Sequence, residues 1–335
     1  MTTTVPQPIT LDAIRAARER TKDAVIRTPL VRLDPFHSPS RSSAVPITPY
    51  PVPQVYLKLE LLQPSGAFKL RGAINAIRMA TKSQLKNGVW TASSGNMAVA
   101  VSYAARELGL SCTVLVNDGA PAAKLRAIET LGATIVKDTW PAVLEVCRTS
   151  TYKGMKGFFI HPFADPNVMA GNAVIGLEIL EDLPDADAVL LPYGGGGLAA
   201  AVASAIKAIR PQTKCYAAEV ETGAPAAASW AAGRPTPVDQ KPSWISGIGA
   251  PFVFDETWPI VTKLLEGSIV STLAEVAAAI KLTAEHNHII AEGAGAAPIA
   301  AALSGKAGNG KVVALVSGGN IDTDKVIKIL QGGIP

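Results

Sequence analysis

Short runs of apolar, mostly β-branched residues alternate along the chain with longer stretches whose apolar positions recur at helical spacing. Such short runs, bounded by turn residues, are typical of buried strands. The clearest of them are Val55–Leu59, Cys112–Val116, Thr134–Lys137, Phe158–Ile160, Val189–Leu191, Lys214–Ala218 and Val312–Val316. Strands that alternate with helices indicate βαβ units. The pattern therefore predicts an α/β protein with open, mostly parallel twisted sheets and helices on both faces.

One uncharged stretch, Ala188–Ile206, is long enough to cross a bilayer on length alone. Pro192 and four consecutive glycines interrupt it, so a strand, a tight turn and a helix fit it better. The first residues of the chain carry Asp12 and Glu19 and lack the apolar core of a signal peptide. We therefore expect a cytoplasmic protein that makes no use of a membrane.

Composition narrows the class of protein further. Of 335 residues, 48% are hydrophobic and 17% are charged, which excludes a disordered chain and a coiled coil. The formal net charge of +4 is spread without a basic stripe, so nucleic acid is not an expected partner. Cys112, Cys147 and Cys215 are too few and too far apart for a disulfide framework or a thiolate metal site.

A lysine stands between an apolar strand and an apolar helix face in the segment Pro64–Ala73, PSGAFKLRGA. Lys69 would be partly removed from water there. Desolvation lowers the pKa of an amine and makes it a nucleophile. The alternative, from this segment alone, is a solvated charge at a helix N-terminus.

A turn of small polar residues, Ala92–Met97 with the sequence ASSGNM, precedes another helix. Backbone amides and hydroxyls at a helix N-terminus suit an anion such as a carboxylate. An ordinary N-cap turn would have the same composition, and this segment alone does not separate the two.

Four glycines follow a strand in the segment Pro192–Leu198, PYGGGGL. They let the backbone approach a phosphate with its N–H groups, although a tight packing turn is the alternative. Gly194, Gly196 and Ala199 also match the dinucleotide fingerprint G-x-G-x-x-A, with Glu219 about twenty residues further on. By itself this segment leaves both a single phosphate and a nicotinamide cofactor open.

Two more glycine turns follow, Val316–Asn320 (VSGGN) and Ala291–Gly295 (AEGAG), where Glu292 is either a site residue or a helix cap. The segments PSGAFKLRGA, SSGN, HPFADP, AGN, GLEIL, the glycine turn, AEGAGA and SGGN occur here in a fixed order. In that order the chain resembles the pyridoxal-phosphate enzymes of the tryptophan-synthase β fold (fold type II). The resemblance is to the serine/threonine dehydratase (ammonia-lyase) and serine racemase family, and it spans Arg27 to Asn320.

The resemblance implies a role for each matching residue. Lys69 would bind pyridoxal phosphate as a Schiff base and act as the base at Cα, with Phe68 against the pyridine ring. Asn96 would hydrogen-bond the cofactor's 3-hydroxyl, and Ser317 would face the pyridine nitrogen. A hydroxyl there makes a milder electron sink than a carboxylate, which favours expulsion of a β-leaving group. The other residues implied to bind the cofactor are Gly194, Gly195, Gly196 and Gly197, which would hold the phosphate, together with Leu198, Glu292 and Gly318.

The same resemblance implies that Ser93, Ser94 and Gly95 bind the substrate carboxylate. Ser94 would also lie near the face of Cα opposite Lys69, as a second catalytic residue. Many relatives carry His where this chain has Met97. We therefore expect an apolar contact from Met97 and a less polar substrate than the His-bearing relatives take.

A cation is the least defined part of the resemblance. The racemase branch holds a metal with a Glu and a carboxylate six residues later. Glu219 matches the first position, but Pro225 stands at the second. The pair is not expected to hold a divalent ion, while backbone carbonyls near Gly223 leave a monovalent ion open.

The function implied is a lyase that dehydrates and deaminates a β-hydroxy-α-amino acid of the L-threonine or L-serine type. An amino-acid racemase with Ser94 as second acid/base is the first alternative, and a β-replacement enzyme is the next. A nicotinamide-dependent oxidoreductase and an inactive regulatory protein come from other classes. Intact Lys69, Asn96 and Ser317 argue against the inactive protein. The family favours a homodimer.

Length predicts about two domains. We expect residues 1–60 together with 170–335 to form a larger cofactor-binding domain, and residues 61–169 to form a smaller, mobile α/β domain. Residues 37–53 contain four serines and five prolines without periodicity. They are interpreted as a surface loop inserted before the strand at Val55.

Overall fold

The computed structural model describes residues 6–33, 53–120 and 122–335. In this part of the chain the strands are β1 Leu30–Arg32, β2 Gln54–Leu59, β3 Val89–Ala92, β4 Cys112–Asn117, β5 Thr134–Asp138, β6 Phe158–Phe159, β7 Ala188–Pro192, β8 Lys214–Val220, β9 Ser268–Ser271 and β10 Lys311–Val316. The helices are α1 Leu11–Thr21, α2 Lys69–Met79, α3 Lys82–Leu85, α4 Asn96–Glu107, α5 Ala122–Thr130, α6 Trp140–Thr149, α7 Pro166–Asp182, α8 Gly197–Ile209, α9 Pro225–Ala232, α10 Trp258–Leu264, α11 Leu273–Asn287, α12 Gly293–Leu303 and α13 Thr323–Leu330.

The larger sheet has the strand order β1-β2-β10-β7-β8-β9. Its strands pair in parallel, except that β1 runs antiparallel to β2 at the edge. Alternate residues of β7 face opposite layers of helices, as the pleat of a strand requires. Val189 and Leu191 pack in the core that contains α7 and α8. Ala188 and Leu190 pack in the core that contains α11 and α12, so this sheet is covered on both faces.

The smaller sheet has the order β5-β4-β3-β6, and its strands pair in parallel. Val114 and Val116 of β4 share a core with α2 and α4. Leu115, between them, packs instead with Val143 and Val146 of α6. The second sheet is therefore also covered by helices on both faces, and the predicted α/β class with two doubly wound sheets is confirmed.

Helix α2 contacts α7 on one side and α4 on the other, and a buried group of charges fixes its first turn. Arg71 pairs with Glu60 at 2.7 Å and with Glu178 at 2.8 Å, and Lys58 pairs with Glu178 at 2.6 Å. These side chains are at most 5% exposed. Because two cations face two anions in a dry interior, loss of one partner would leave a buried charge unpaired. The group therefore holds the backbone that carries Lys69.

The predicted strands are observed with small differences at their ends, and Ala188–Ile206 forms β7, the glycine turn and most of α8. In the described ranges, no helix combines the length and the apolar character needed to span a bilayer. Residues 37–52 of the predicted loop lie outside the described residues. The domain boundaries at 61 and 169 stay predictions, although the strands of the smaller sheet all fall between 89 and 159.

Candidate active site

The segment that leads into α2 pairs with the turn that follows β10. The amide of Phe68 donates to the carbonyl of Ser317 at 2.9 Å. Ala67 forms an isolated antiparallel bridge with Gly318. Since β10 is a central strand of the larger sheet, these contacts bring the start of α2, with Lys69, to the carboxyl edge of that sheet. This is the edge where open α/β sheets bind ligands.

Lys69 is the first residue of α2 and is partly buried. Its Nζ donates to the carbonyl of Pro162 at 2.5 Å and lies 4.9 Å from the centre of the Phe68 ring. Burial lowers the pKa of this amine from 10.5 to about 8, although the neighbouring Cys147 and Glu292 act to raise it. A pKa near 8 leaves about a tenth of the amine neutral at pH 7. Lys69 can therefore act as a nucleophile or a base near neutral pH.

The side chain of Asn96 joins three of the predicted turns. Its Nδ2 donates to Glu292 Oε1 at 2.6 Å, and its Oδ1 accepts from Asn320 Nδ2 at 2.9 Å. Asn320 also donates to the carbonyl of Ser65 at 3.0 Å. Asn320 ends the SGGN motif but was not singled out from the sequence. Its amide at the end of a glycine turn is the signal that could have identified it.

The turn before α4 holds Ser93, Ser94 and Gly95, each of which is accessible in part. The Ser94 hydroxyl donates to Asn117 Oδ1 at 2.5 Å and accepts from the Asn117 amide at 3.1 Å. Ser93 Oγ accepts from the Gly95 amide at 3.1 Å. No side chain caps α4, so its N-terminus is suited to an anion. Asn117 was missed from the sequence, although a polar residue ending a buried strand was the available signal.

Met97 is not placed as the sequence suggested. Its side chain is 1% exposed and packs in the core between α2, α4 and the smaller sheet, with Leu70 and Val101 among its neighbours in that core. Successive residues of a helix point about 100° apart, so Met97 faces inward where Asn96 faces the site. This placement does not support the expected substrate contact, and the preference for a less polar substrate loses its basis.

The four glycines of Pro192–Leu198 connect β7 to α8. Gly196 is the N-cap of α8 and has a φ of 79°, in the left-handed region that favours glycine. Thr257 Oγ1 donates to the carbonyl of Gly195 at 2.8 Å, and this hydrogen bond stabilises the turn. No side chain caps α8, whose first turn includes Leu198, so the backbone N–H groups of that turn suit an anion.

Phe163 covers the same turn from the side of the smaller sheet. A Cβ at Gly195 would lie 2.7 Å from the Phe163 ring, and a Cβ at Gly197 would lie 2.0 Å from the Phe163 carbonyl. A Cβ at Gly194 would lie 2.5 Å from the carbonyl of Gly247. The absence of side chains therefore lets neighbouring segments close on the turn, in which Gly194 and Gly195 are half-buried and Gly196 and Gly197 are buried.

Known proteins are similar to this chain over nearly its whole length. Residues 21–318 match the family described as "Pyridoxal-phosphate dependent enzyme". The chain belongs to this family. An L-threonine ammonia-lyase of Thermotoga maritima is 36% identical over 333 residues, which are 97% of this chain and 79% of that protein.

Two solved structures are also similar to this chain. Maize serine racemase has a TM-score of 0.84 and 31% identity, and the match covers 97% of each chain. A threonine deaminase of Solanum lycopersicum, isoform 2, has a TM-score of 0.81 and 29% identity, with 98% of this chain and 96% of that chain covered. The fold is therefore that of the fold type II pyridoxal-phosphate enzymes.

The residues present fit the family's cofactor. A pyridoxal phosphate carries an aldehyde and a phosphate. Lys69 offers an amine whose lowered pKa suits attack on the aldehyde. The uncapped first turn of α8, preceded by glycines, offers N–H groups to the phosphate. Phe68 directly precedes Lys69, and Ser317 and Gly318 pair with Phe68 and Ala67, so these residues lie at the Lys69 end of the site.

Glu219, which matches one position of the racemase metal pair and the acidic position of the dinucleotide fingerprint, has three hydrogen-bond donors for its carboxylate. These are the amides of Ala226 at 2.9 Å and Ala227 at 2.8 Å, and the hydroxyl of Ser268 at 2.6 Å. Pro225 begins α9, so the next N–H groups of that helix point at the carboxylate. Burial raises the pKa of Glu219 even against these three donors. Among the described residues, no three His, Cys, Asp or Glu side chains come together in a group that could hold a metal ion. Gly223 has no side chain that could join such a group.

Proposed function

We propose that this chain is a lyase that removes water and then ammonia from a β-hydroxy-α-amino acid, giving a 2-oxo acid. L-threonine and L-serine are the proposed substrates. The observation that carries the proposal is the position of Lys69: its Nζ donates to the carbonyl of Pro162, and the next residue, Phe163, lies over the glycine turn at the uncapped N-terminus of α8. Support comes from the 36% identity to an L-threonine ammonia-lyase.

Binding of the substrate carboxylate is assigned to the turn before α4. No side chain caps the first amides of α4, Ser93 and Ser94 lie in the turn just before them, and the helix N-terminus carries positive charge. Asn117 holds Ser94 by two hydrogen bonds, so the turn is organised before a ligand binds. A preorganised carboxylate site orients Cα toward Lys69.

Lys69 is the proposed base at Cα. When bound, pyridoxal phosphate supplies an electron sink for the bond that breaks at Cα. The neutral amine of Lys69 takes the Cα proton, and the β-hydroxyl leaves as water after it gains a proton. The enamine that results is hydrolysed to the 2-oxo acid and ammonia, so the water lost in the first stage is regained in the second.

A racemase is the second candidate, because maize serine racemase is a close structural neighbour. Racemisation needs a proton donor on the face of Cα opposite Lys69, and Ser94 is the residue proposed for it. The Ser94 proton is engaged with Asn117 Oδ1, and its oxygen accepts from the Asn117 amide. A hydroxyl held twice in this way is a poor donor to Cα, which favours elimination.

The lyase and the racemase are separated by incubating L-threonine and L-serine with the holoenzyme in deuterated water. We expect the 2-oxo acid to form faster than the deuterated D-enantiomer. Faster accumulation of the D-enantiomer would reverse the order of the two candidates. We further propose a cytoplasmic homodimer on the family resemblance, and a monovalent ion near Gly223 stays a prediction.

A further inference from the structure

The turn between β6 and α7 is shaped by a buried histidine that the proposed mechanism does not use. His161 is 8% exposed. Its Nδ1 lies 3.1 Å from the amide of Phe163 and 2.9 Å from the amide of Ala164. Its Nε2 lies 2.7 Å from the carbonyl of Cys147 on α6.

These partners fix both the charge and the tautomer of the imidazole. A carbonyl only accepts hydrogen bonds, so Nε2 carries the proton that is donated to Cys147. Two amides donate to Nδ1, so Nδ1 carries no proton and the ring is neutral. The ring is also packed edge-to-face against Phe163, with centroids 4.6 Å apart.

The two residues that follow His161 both touch the candidate active site. The carbonyl of Pro162 accepts the hydrogen bond from Lys69 Nζ. Phe163 lies over the glycine turn, where its ring would be 2.7 Å from a Cβ at Gly195. The same short turn therefore positions both the Pro162 carbonyl, which accepts the hydrogen bond from Lys69, and the Phe163 ring, which lies over the glycine turn.

We propose that neutral His161 is a positioning residue for the cofactor site. Its Nδ1 folds the 161–164 turn so that Pro162 reaches Lys69 and Phe163 covers the glycine turn. The inference rests on the proposed function, because it takes Lys69 and the glycine turn as the two ends of the cofactor site. His161 itself touches neither end and acts through the backbone.

Protonation of His161 would work against this arrangement. A proton on Nδ1 would face two N–H donors, and both hydrogen bonds to the turn would be lost. The charges that face the ring are Glu256 and Asp165, which favour the protonated form, and Lys69, which opposes it. Burial is the largest influence and lowers the pKa of His161 below 6.5. The turn is therefore fully formed above pH 6.5 and is weakened as the pH falls through the lowered pKa.

The two nitrogens can be tested separately with a matched pair of substitutions. In His161→Asn, the short amide oxygen can still accept from the Phe163 and Ala164 amides, as in an Asx turn. In His161→Gln, the longer amide can still donate toward the Cys147 carbonyl but offers no acceptor at the Nδ1 position. His288→Asn is the control, since His288 is exposed at the end of α11 with a φ of 59° that Asn tolerates.

The measurement is the dissociation constant of pyridoxal phosphate, obtained by titrating each apoprotein. We expect His161→Gln to raise it about tenfold, since two hydrogen bonds that hold the turn are lost. His161→Asn should stay within about threefold of wild type, and His288→Asn should match wild type. Equal values for the Asn and Gln variants would overturn the inference. Failure of the wild type to bind pyridoxal phosphate would instead contradict the proposed function.

A second measurement uses the wild-type apoprotein and does not depend on any variant folding. Nitrogen-15 chemical shifts report which imidazole nitrogen carries the proton. We expect His161 to show a protonated Nε2 and an unprotonated, hydrogen-bonded Nδ1 at pH 7. A protonated Nδ1 at that pH would overturn the inference.

Discussion

Substitution of Gly196 by alanine should damage the phosphate site in a way that the structure quantifies. Gly196 has a φ of 79°, which costs an L-residue about 1–2 kcal/mol. The new Cβ would lie 2.5 Å from Thr257 Oγ1, so that hydroxyl must move and give up its hydrogen bond to the Gly195 carbonyl. Loss of that bond adds about 1 kcal/mol. The total, about 2–3 kcal/mol, is relieved when the first turn of α8 unwinds.

Unwinding of that turn removes the N–H groups proposed to bind the phosphate, so the strain should appear as lost cofactor affinity. A change of 2–3 kcal/mol corresponds to a rise of about 30- to 150-fold in the dissociation constant of pyridoxal phosphate. The assay is titration of the apoprotein, with thermal unfolding of the same samples to follow stability.

Gly233→Ala is the matched control for this substitution. Gly233 has a φ of 67° at the C-terminal cap of α9, and a Cβ there would have nothing within 4 Å. It therefore carries the same backbone strain without the collision at Thr257. We expect its cofactor affinity to equal that of wild type. If Gly196→Ala and Gly233→Ala change the affinity equally, the phosphate does not bind at the α8 turn.

Three further predictions follow from other parts of the site. Burial lowers the pKa of Lys69 from 10.5 to about 8, so an amine-selective acylating reagent should modify Lys69 of the apoprotein half-maximally near pH 8. A midpoint near 10.5 for Lys69 would contradict its desolvation. Arg71→Met leaves Glu60 buried without its ion-pair partner and should lower the free energy of unfolding by about 3–5 kcal/mol, measured by urea titration. Lys22→Met, which breaks an exposed ion pair, should leave the free energy of unfolding close to that of wild type, and equal effects of the two substitutions would refute the argument. Ser94→Ala should slow D-enantiomer formation more than 2-oxo acid release in deuterated water, and the reverse would remove Ser94 from the racemase route.

The alternation of strands and helices was predictable because most strands are continuous apolar runs. Three strands, β1, β3 and β9, were not identified from the sequence. β3 contains Thr91, which is fully buried and donates to the carbonyl of Ile160 at 2.8 Å. A buried polar residue with such a partner breaks the apolar run without weakening the strand. β9, Ser268–Ser271, has only two apolar residues, and its place is set by pairing with β8.

The candidate site was predictable where function sits in a contiguous motif. Lys69 and the glycine turn carry their signal in the local sequence, because a lysine or four glycines at a strand–helix boundary are unusual. Asn117 and Asn320 carry no such signal, and their partners Ser94 and Asn96 lie 23 and 224 residues away. Contacts at these separations depend on the tertiary fold.

Met97 is the reverse case, a residue that was assigned to the site from the sequence but whose side chain is buried in the core. It follows Asn96 directly, and adjacency within a motif suggested a shared role in the site. The helix that begins at Asn96 turns successive side chains to different faces, and the Met97 side chain enters the core. Helix phase, which a motif does not report, decides which residues of the motif reach a ligand.

The central claim is that Lys69 performs an elimination with pyridoxal phosphate on a β-hydroxy-α-amino acid. The most direct measurement is release of 2-oxobutanoate and ammonia from L-threonine by the reconstituted wild type and by Lys69→Ala. We expect equal amounts of the two products from wild type, and a loss of several orders of magnitude in Lys69→Ala, since nucleophile and base are removed together. Release at the wild-type rate by Lys69→Ala, or no 2-oxo acid from the reconstituted wild type with either L-threonine or L-serine, would contradict the claim.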